Sequence, residues 1–218
     1  MKLIKLGLSA LTLTLGLSLF GSPAMASSGN SYAVSTTTVK SGKVTLPKNT
    51  RVNFIYKTNK NNKTYGRIDL NTIRYKLRHQ TSARYITVRI NHNFKTVKAN
   101  AADKLTTLVK GTPTTSDSKN AKLPVLRLTT DGYVEYFKTS SMTQKPVSST
   151  KITALKKSGN LLHVYAKSNM LKLPDRRISH KGNYQYRLAI RYNQQFDNYM
   201  SYSVGHMKNV FFVMTRNA

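Results

Sequence analysis

Alternation of apolar and polar residues dominates the chain from Lys43 onward, and a period of two residues predicts β-strands. The clearest alternation runs from residue 184 to 192, and shorter ones cover 52–56, 73–78 and 85–90. The residues predicted to share the apolar face of a strand are Val52, Phe54 and Tyr56; Ile73, Tyr75 and Leu77; and Ile86, Val88 and Ile90. The pattern predicts a mainly β protein with an antiparallel sheet, curved or closed into a barrel, or two small β units.

One segment, at about residues 100–110, has the pattern of a short helix. Asn100 is suited to an N-cap position, Asp103 lies in the first turn, and Gly111 follows the segment. Its threonines lower the helix preference because their side chains are β-branched. We expect this to be the one short helix of the fold.

The first 26 residues have the pattern of a secretory signal peptide. Lys2 and Lys5 precede an apolar run of 15 residues from Leu6 to Phe20, and Ala24-Met25-Ala26 provides a cleavage site. A membrane-spanning helix needs about 20 residues, so this run is short for a span. An uncleaved N-terminal anchor is the alternative. We expect export, and we expect no transmembrane segment after cleavage.

The mature chain is predicted to have a simple organisation. Residues 27–42 are rich in Ser and Thr and are predicted to form a flexible or weakly extended lead-in. Residues 43–218 are predicted to form a mostly β domain. A polar stretch near 140–150, which contains Pro146, is the place where this domain could divide into two units.

The chain is strongly basic, with 36 Lys and Arg against seven Asp and Glu and a formal charge of +29. Loss of Lys2 and Lys5 with the signal peptide leaves +27. Seven acids cannot neutralise so many bases, and the charge exceeds what solubility requires. We therefore expect an anionic polymer as partner. Outside a cell the candidates are teichoic acid, nucleic acid and glycosaminoglycans, besides anionic membrane surfaces.

Basic side chains recur on the polar faces of the predicted strands, and strands that share a sheet would combine them into one cationic face. Arginine matches the geometry of phosphate and sulfate with two parallel hydrogen bonds. A solvated outer face is the alternative for each residue taken singly. The candidate polyanion-binding residues are Arg74, Lys76, Arg78, Arg89, Arg187 and Arg191.

A hairpin is predicted around Asp131-Gly132, where a turn signal separates two strand-like runs. A three-residue loop, 130–132, gives Gly132 the left-handed position that glycine favours. In this register Leu128 faces Val134 on a wholly apolar face, and Arg127 faces Glu135 on the other. We expect an exposed ion pair that fixes register and contributes about 0.2–1 kcal/mol.

The alternative function is a secreted nuclease or other hydrolase that uses Glu135, the only glutamate, as a general base. Such a base needs an acid partner, and a glutamate paired with an arginine is expected to have a lowered pKa, which is unfavourable for a base near neutrality. The histidines lack metal-type spacing, so we expect no metal or cofactor. They are scattered at His79, His92, His163, His180 and His206. These observations favour a protein without catalysis.

The chain contains no cysteine, which excludes disulfides, a lipid-anchored cysteine and a cysteine nucleophile. It contains no tryptophan either. With the signal peptide, the segments 131–137 (DGYVEYF), 151–157 (KITALKK) and 182–188 (GNYQYRL) resemble uncharacterised small secreted extracellular proteins of lactobacilli. The resemblance implies a Gram-positive, exported protein that is extracellular or associated non-covalently with the cell surface. It carries over no site residue.

Overall fold

The computed structural model describes residues 27–105, 107–113 and 123–214, and the predicted signal peptide lies outside the described residues. A five-stranded antiparallel sheet comes first along the chain, and an eight-stranded antiparallel barrel follows. The prediction of a mainly β protein with antiparallel, barrel-like pairing is therefore confirmed.

Seven strands make up the N-terminal part. They are β1 Ser27–Ser35, β2 Val39–Ser41, β3 Val44–Leu46, β4 Arg51–Lys60, β5 Lys63–Asp69, β6 Tyr85–Ile90 and β7 Phe94–Val97. The five-stranded sheet has the order β6-β5-β4-β1-β7, and β2 pairs with β3 in a separate hairpin. One apolar cluster, which includes Val52, Phe54, Ile68 and Val88, lies on the inner face of this sheet.

The interpretation of 27–42 as a flexible lead-in is wrong. Strand β1 lies inside the sheet and pairs with β4 on one side and β7 on the other. Ala33 of β1 is buried in the apolar cluster. The Ser- and Thr-rich composition does not indicate this strand, because a strand paired on both edges is stabilised largely by backbone hydrogen bonds.

Two local predictions in the N-terminal part are also wrong. The register between β4 and β5 shifts between Phe54 and Tyr56, and this bulge turns Tyr56 to the outer face while Phe54 stays buried. Residues 73–78 do not form a strand, because Tyr75–Arg78 is a short α-helix, α1. Ile73 and Leu77 are both buried, a spacing of four that suits a helix as well as a strand.

Nine strands make up the C-terminal part. They are β8 Leu108–Lys110, β9 Val125–Leu128, β10 Tyr133–Phe137, β11 Ser148–Ser158, β12 Leu161–Ala166, β13 Arg176–Arg177, β14 Tyr186–Gln195, β15 Tyr199–Val204 and β16 Phe211–Met214. The strands follow the order β12-β11-β10-β9-β8-β16-β15-β14, and pairing of β14 with β12 closes the barrel. The short β13 adds to β14. The interior is packed with apolar side chains, which include Leu126, Leu128, Val164, Leu188 and Phe211.

The chain does not divide near residues 140–150. That stretch joins β10 to β11, and these two strands pair directly inside the barrel. The sheet ends with β7, and the first strand of the barrel is β8, so the transition falls at 98–107. A polar loop with a proline marks a connection between strands here, because the flanking strands share one hydrophobic interior.

The predicted helix at 100–110 begins as expected but ends early. Asn100 is an N-cap with a capping box to Asp103, yet the helix is a 3-10 turn that spans only Ala101–Lys104. Residues 108–110 form β8, which pairs with β9 and β16. Without β8 these two strands would be unpaired edges of the barrel, so sheet pairing outweighs the weak helix preference of this segment.

The N-terminal sheet and the barrel contact each other through polar groups. The Thr130 backbone N–H donates to the Thr72 carbonyl at 2.8 Å, which joins the β9–β10 loop to the segment before α1. Arg51 forms two hydrogen bonds of 2.7 Å with the carboxylate of Asp103, which leads into the barrel. The guanidinium of Arg51 also lies 4.3 Å from the centre of the Tyr32 ring.

Candidate polyanion-binding surfaces

The hairpin register predicted from the sequence is confirmed. Glu135 pairs with Arg127 and Val134 with Leu128. The Thr129 backbone N–H donates to the Tyr133 carbonyl at 2.8 Å, which closes a loop of residues 130–132, and Gly132 has a φ of 80°. One face of the hairpin contributes to the barrel interior, as the alternation requires.

The expectation that the Arg127–Glu135 pair is exposed is wrong. Arg127 is 1% exposed and Glu135 is 0% exposed, because the N-terminal part covers this face of the hairpin. The nearest charged atoms of the pair, Arg127 Nη1 and Glu135 Oε2, are 3.8 Å apart. The other oxygen, Oε1, accepts hydrogen bonds from the Tyr75 backbone N–H at 2.9 Å and from the Ser149 hydroxyl at 3.0 Å.

A second carboxylate of the hairpin has a related role. The Asp131 carboxylate accepts a hydrogen bond of 2.9 Å from the Arg74 backbone N–H, and its other oxygen lies 3.4 Å from Arg74 Nε. Asp131 and Glu135 thus receive the first free N–H groups of α1, where the partial positive charge of a helix favours anions. Asp131 is therefore both the turn residue that was predicted and a contact between the barrel and the sheet.

Burial sets the protonation behaviour of this cluster. Desolvation raises the pKa of Glu135, and this outweighs the opposing effects of the Tyr75 N–H and of Arg127. The expectation of a lowered pKa for Glu135 is therefore wrong. Desolvation likewise raises the pKa of Asp131. Burial lowers the pKa of Arg127 to about 10, so its guanidinium stays charged near neutral pH. Glu135 has no exposed surface on which to meet a substrate.

The six predicted polyanion-binding residues lie in three different places. Arg74, Lys76 and Arg78 belong to α1 and to its N-cap. Arg74 contacts Asp131 and the Tyr133 ring, and Arg78 donates to the Met142 carbonyl at 2.6 Å. These two arginines therefore serve the contact between sheet and barrel, and only Lys76 of the three is exposed. Their predicted strand face does not exist.

Arg187 and Arg191 point outward from β14, as predicted, and the barrel brings further basic side chains beside them. Arg187 lies directly opposite Arg176 of β13, and His163 of β12 is paired with Ala189 between the two β14 arginines. Lys156 of β11 is paired with His163. We call this group the barrel basic face. It consists of Lys156, His163, Arg176, Arg187 and Arg191.

Aromatic rings adjoin the barrel basic face. The Lys156 ammonium lies 5.7 Å from the ring centres of both Tyr165 and Tyr184, and these two rings meet edge to face at 5.3 Å. Burial and the charges of Arg187 and Arg191 lower the pKa of His163. The positive charges of both arginines therefore act on the His163 imidazole.

Arg89 lies elsewhere, on the outer face of the N-terminal sheet. It is exposed on β6, opposite Tyr65 of β5, and the next outward residue of β5 is Arg67. The residues predicted from the sequence did not include Arg67, Lys156, His163 or Arg176. Only pairing between distant strands brings these residues together, and the pairing could not be read from the pattern of each strand.

The described residues contain neither a cluster of metal-ligating side chains nor a membrane-spanning helix. No group of three or more His, Asp or Glu residues lies close enough to hold a metal ion in that part of the chain. No helix among the described residues has the length and apolar character needed to cross a membrane.

Comparison with protein-family models, with curated proteins and with solved structures found no match to this chain.

Proposed function

We propose that this chain is a secreted, non-catalytic protein that binds anionic polymers of the cell envelope, such as teichoic acid, through the barrel basic face. One observation carries the proposal. Arg176 and Arg187 are directly opposite each other on paired strands, with Arg191 and His163 beside them. Like charges in this position destabilise a sheet. An anion that bridges the guanidinium groups removes that repulsion and gains charge-assisted hydrogen bonds.

The distribution of acidic residues supports the same proposal. Four carboxylates, those of Asp69, Asp103, Asp131 and Glu135, pair with arginines. None of these four ion pairs includes a member of the barrel basic face. Burial lowers the pKa of His163, and the charges that lower it further are those of Arg187 and Arg191. Arg187 and Arg191 are four residues apart on one strand, about 13 Å, so a polymer with repeated charges can contact both.

The proposal predicts that two arginines of the barrel basic face are needed for retention on cell walls. The variant Arg176→Gln/Arg187→Gln should bind purified walls on the order of 30-fold more weakly at low salt. Each basic residue near an anionic surface contributes about 1 kcal/mol, and 1.4 kcal/mol is a factor of ten. Sedimentation with walls, with and without their teichoic acid, measures this loss.

The matched control is Lys40→Gln/Lys43→Gln, which removes the same charge from two exposed positions at the β2–β3 hairpin. It should bind nearly as well as the parent chain. Equal losses in both variants would show that diffuse charge is responsible and would contradict a defined face. Retention that is unchanged by removal of the polymer and by high salt would contradict polyanion binding altogether.

A second prediction concerns the titration of His163. A bound polyanion offsets the charges of Arg187 and Arg191, so the pKa of His163 should rise when the polymer binds. Because the bound state then holds the proton more tightly, binding should strengthen as pH falls through this pKa. NMR titration of the His163 imidazole with and without teichoic acid checks the shift. His180 and His206, both exposed, serve as internal references.

A further inference from the structure

The outer face of the N-terminal sheet carries a compact group of tyrosines and arginines. On three neighbouring strands, Arg67 of β5 is opposite Tyr56 of β4 and Thr87 of β6, and Tyr65 is opposite Thr58 and Arg89. Neighbouring strands are about 4.8 Å apart, and residues two apart on a strand are separated by about 6.7 Å. Arg67 therefore lies at the centre of a small lattice. We call this the tyrosine–arginine face. Its members are Tyr56, Thr58, Tyr65, Arg67, Tyr85, Thr87 and Arg89.

Arg67 is held in place but is not neutralised. Its guanidinium lies 4.0 Å from the centre of the Tyr85 ring. Arg84 also contacts that ring, at 4.9 Å, but Arg84 is bound to the Asp69 carboxylate at 3.2 Å. Among the described residues, neither Arg67 nor Arg89 forms an ion pair, and both are exposed. Arg67 therefore presents an ordered guanidinium without a counter-ion.

The shape of this face suits a ligand of the size of one sugar. A depression of about 310 Å³ is lined by Tyr56, Thr58, Tyr65, Arg67, Tyr85 and Thr87. This volume is at the lower end of the range for ligand pockets, about 300–1,000 Å³. Three phenolic and two threonine hydroxyls surround the guanidinium, and each hydroxyl can both donate and accept a hydrogen bond.

The same contacts argue against a nucleobase as the main ligand. A base gains most of its affinity by stacking on an open aromatic ring. The Tyr85 ring already contacts two guanidinium groups and Tyr65 is only partly exposed, so Tyr56, at 40%, is the exposed ring of the three. A sugar has hydroxyls that match the Tyr and Thr hydroxyls, and it needs only a partial aromatic surface. A phosphate group carries up to two negative charges and matches the arginine fork.

We propose that the tyrosine–arginine face is a binding site for a sugar ring that carries a phosphate group. Arg67 binds the phosphate, Arg89 adds a second positive charge, and the hydroxyls of Tyr56, Tyr65 and the threonines bind the ring. This site lies on a different sheet from the barrel basic face and goes beyond charge-driven polymer binding. It selects for the sugar as well as for the charge.

The experiment is an NMR titration of the intact mature chain with four probes, which are glucose 6-phosphate, glucose, inorganic phosphate and adenosine monophosphate. Glucose 6-phosphate should shift the ring signals of Tyr56 and Tyr65 and the Arg67 Nε–H signal. It should bind at least about fivefold more tightly than glucose or inorganic phosphate. Because this titration uses no wall polymer, a negative result would not contradict the proposal for the barrel basic face. The wall experiment, in turn, does not test the tyrosine–arginine face.

Three variants make the test specific. Arg67→Gln should lose the preference for glucose 6-phosphate over glucose, and Tyr65→Phe, which removes only a hydroxyl, should weaken the sugar phosphate but not inorganic phosphate. Lys43→Gln, at an exposed position in the turn between β2 and β3, should bind as the parent does. Equal binding of inorganic phosphate and glucose 6-phosphate would overturn the proposal in favour of simple charge. Tighter binding of adenosine monophosphate would overturn the proposal in favour of a site that stacks a nucleobase. The absence of any NMR shift with all four probes would exclude the site.

Discussion

Replacement of Arg127 by methionine should lower the free energy of unfolding by about 3–5 kcal/mol, the usual cost of leaving a buried charge without its partner. Arg127 and Glu135 are almost completely buried, and Glu135 remains fixed by the Tyr75 N–H and the Ser149 hydroxyl. Its carboxylate therefore cannot move to water when the guanidinium is removed. Urea unfolding of the parent and the variant, compared through midpoint and slope, measures the loss.

A second substitution tests whether the uncompensated charge is the cause. In Arg127→Met/Glu135→Gln the amide oxygen still accepts from Tyr75 and Ser149, but no charge remains at the pair. This double variant should regain most of the lost stability. Arg84→Met is the surface control, since the Arg84 side chain is 59% exposed and its pair with Asp69 contributes about 1 kcal/mol or less. A loss below about 1 kcal/mol in Arg127→Met, or no recovery in the double variant, would contradict this account.

The same variant has a defined pH dependence. Burial raises the pKa of Glu135 above its ordinary value of 4.5, so the folded chain holds this proton more tightly than the unfolded chain does. Between pH 4.5 and the raised pKa of Glu135, protonation of this carboxylate therefore increases the free energy of unfolding as pH falls. The same contribution is lost as pH rises. The loss of the Arg127 charge raises the pKa further. The destabilisation of Arg127→Met should accordingly be smaller at acidic pH than at neutral pH.

Replacement of Gly66 by alanine should destabilise the N-terminal sheet by about 1–3 kcal/mol, the range for an overpacked core. A Cβ at this position would lie 2.7 Å from Phe54 Cε1, still closer to Phe54 Cδ1, and 2.8 Å from Ile90 Cδ1. Phe54 is 1% exposed and cannot turn outward. The better strand preference of alanine offsets part of the cost, about 0.5–1 kcal/mol. Chemical unfolding of the parent and the variant checks the result.

The double variant Gly66→Ala/Phe54→Leu shows whether the ring is the obstacle. Leucine is smaller than phenylalanine, so the added methyl group occupies part of the space that Phe54→Leu leaves. The combined loss should be smaller than the sum of the two single losses, as expected for residues in contact. Additive losses would mean that the Phe54 ring does not constrain Gly66.

The sequence determined those features whose physical cause is local. The β9–β10 hairpin followed from a glycine with a left-handed backbone, from apolar residues on one face and from the Arg127–Glu135 register. The alternation at 85–90 and along β14 likewise placed Ile86, Leu188 and Ile190 inside. These predictions succeeded because the two faces of a strand are recognised from the alternation of its own residues. The geometry of a tight turn is likewise indicated by the position of its glycine.

Tertiary structure decided what each face meets, and that depends on residues far away in the chain. The closure of β14 on β12 places His163 between Arg187 and Arg191, and the bulge in β4 turns Tyr56 toward Arg67. Burial of Arg127 and Glu135 under the N-terminal part reverses the expected pKa shift of the glutamate, because desolvation outweighs the attraction of one arginine. Alternation shows that a face is polar, whereas only the packing of distant segments determines whether that face contacts water, a buried partner or a ligand.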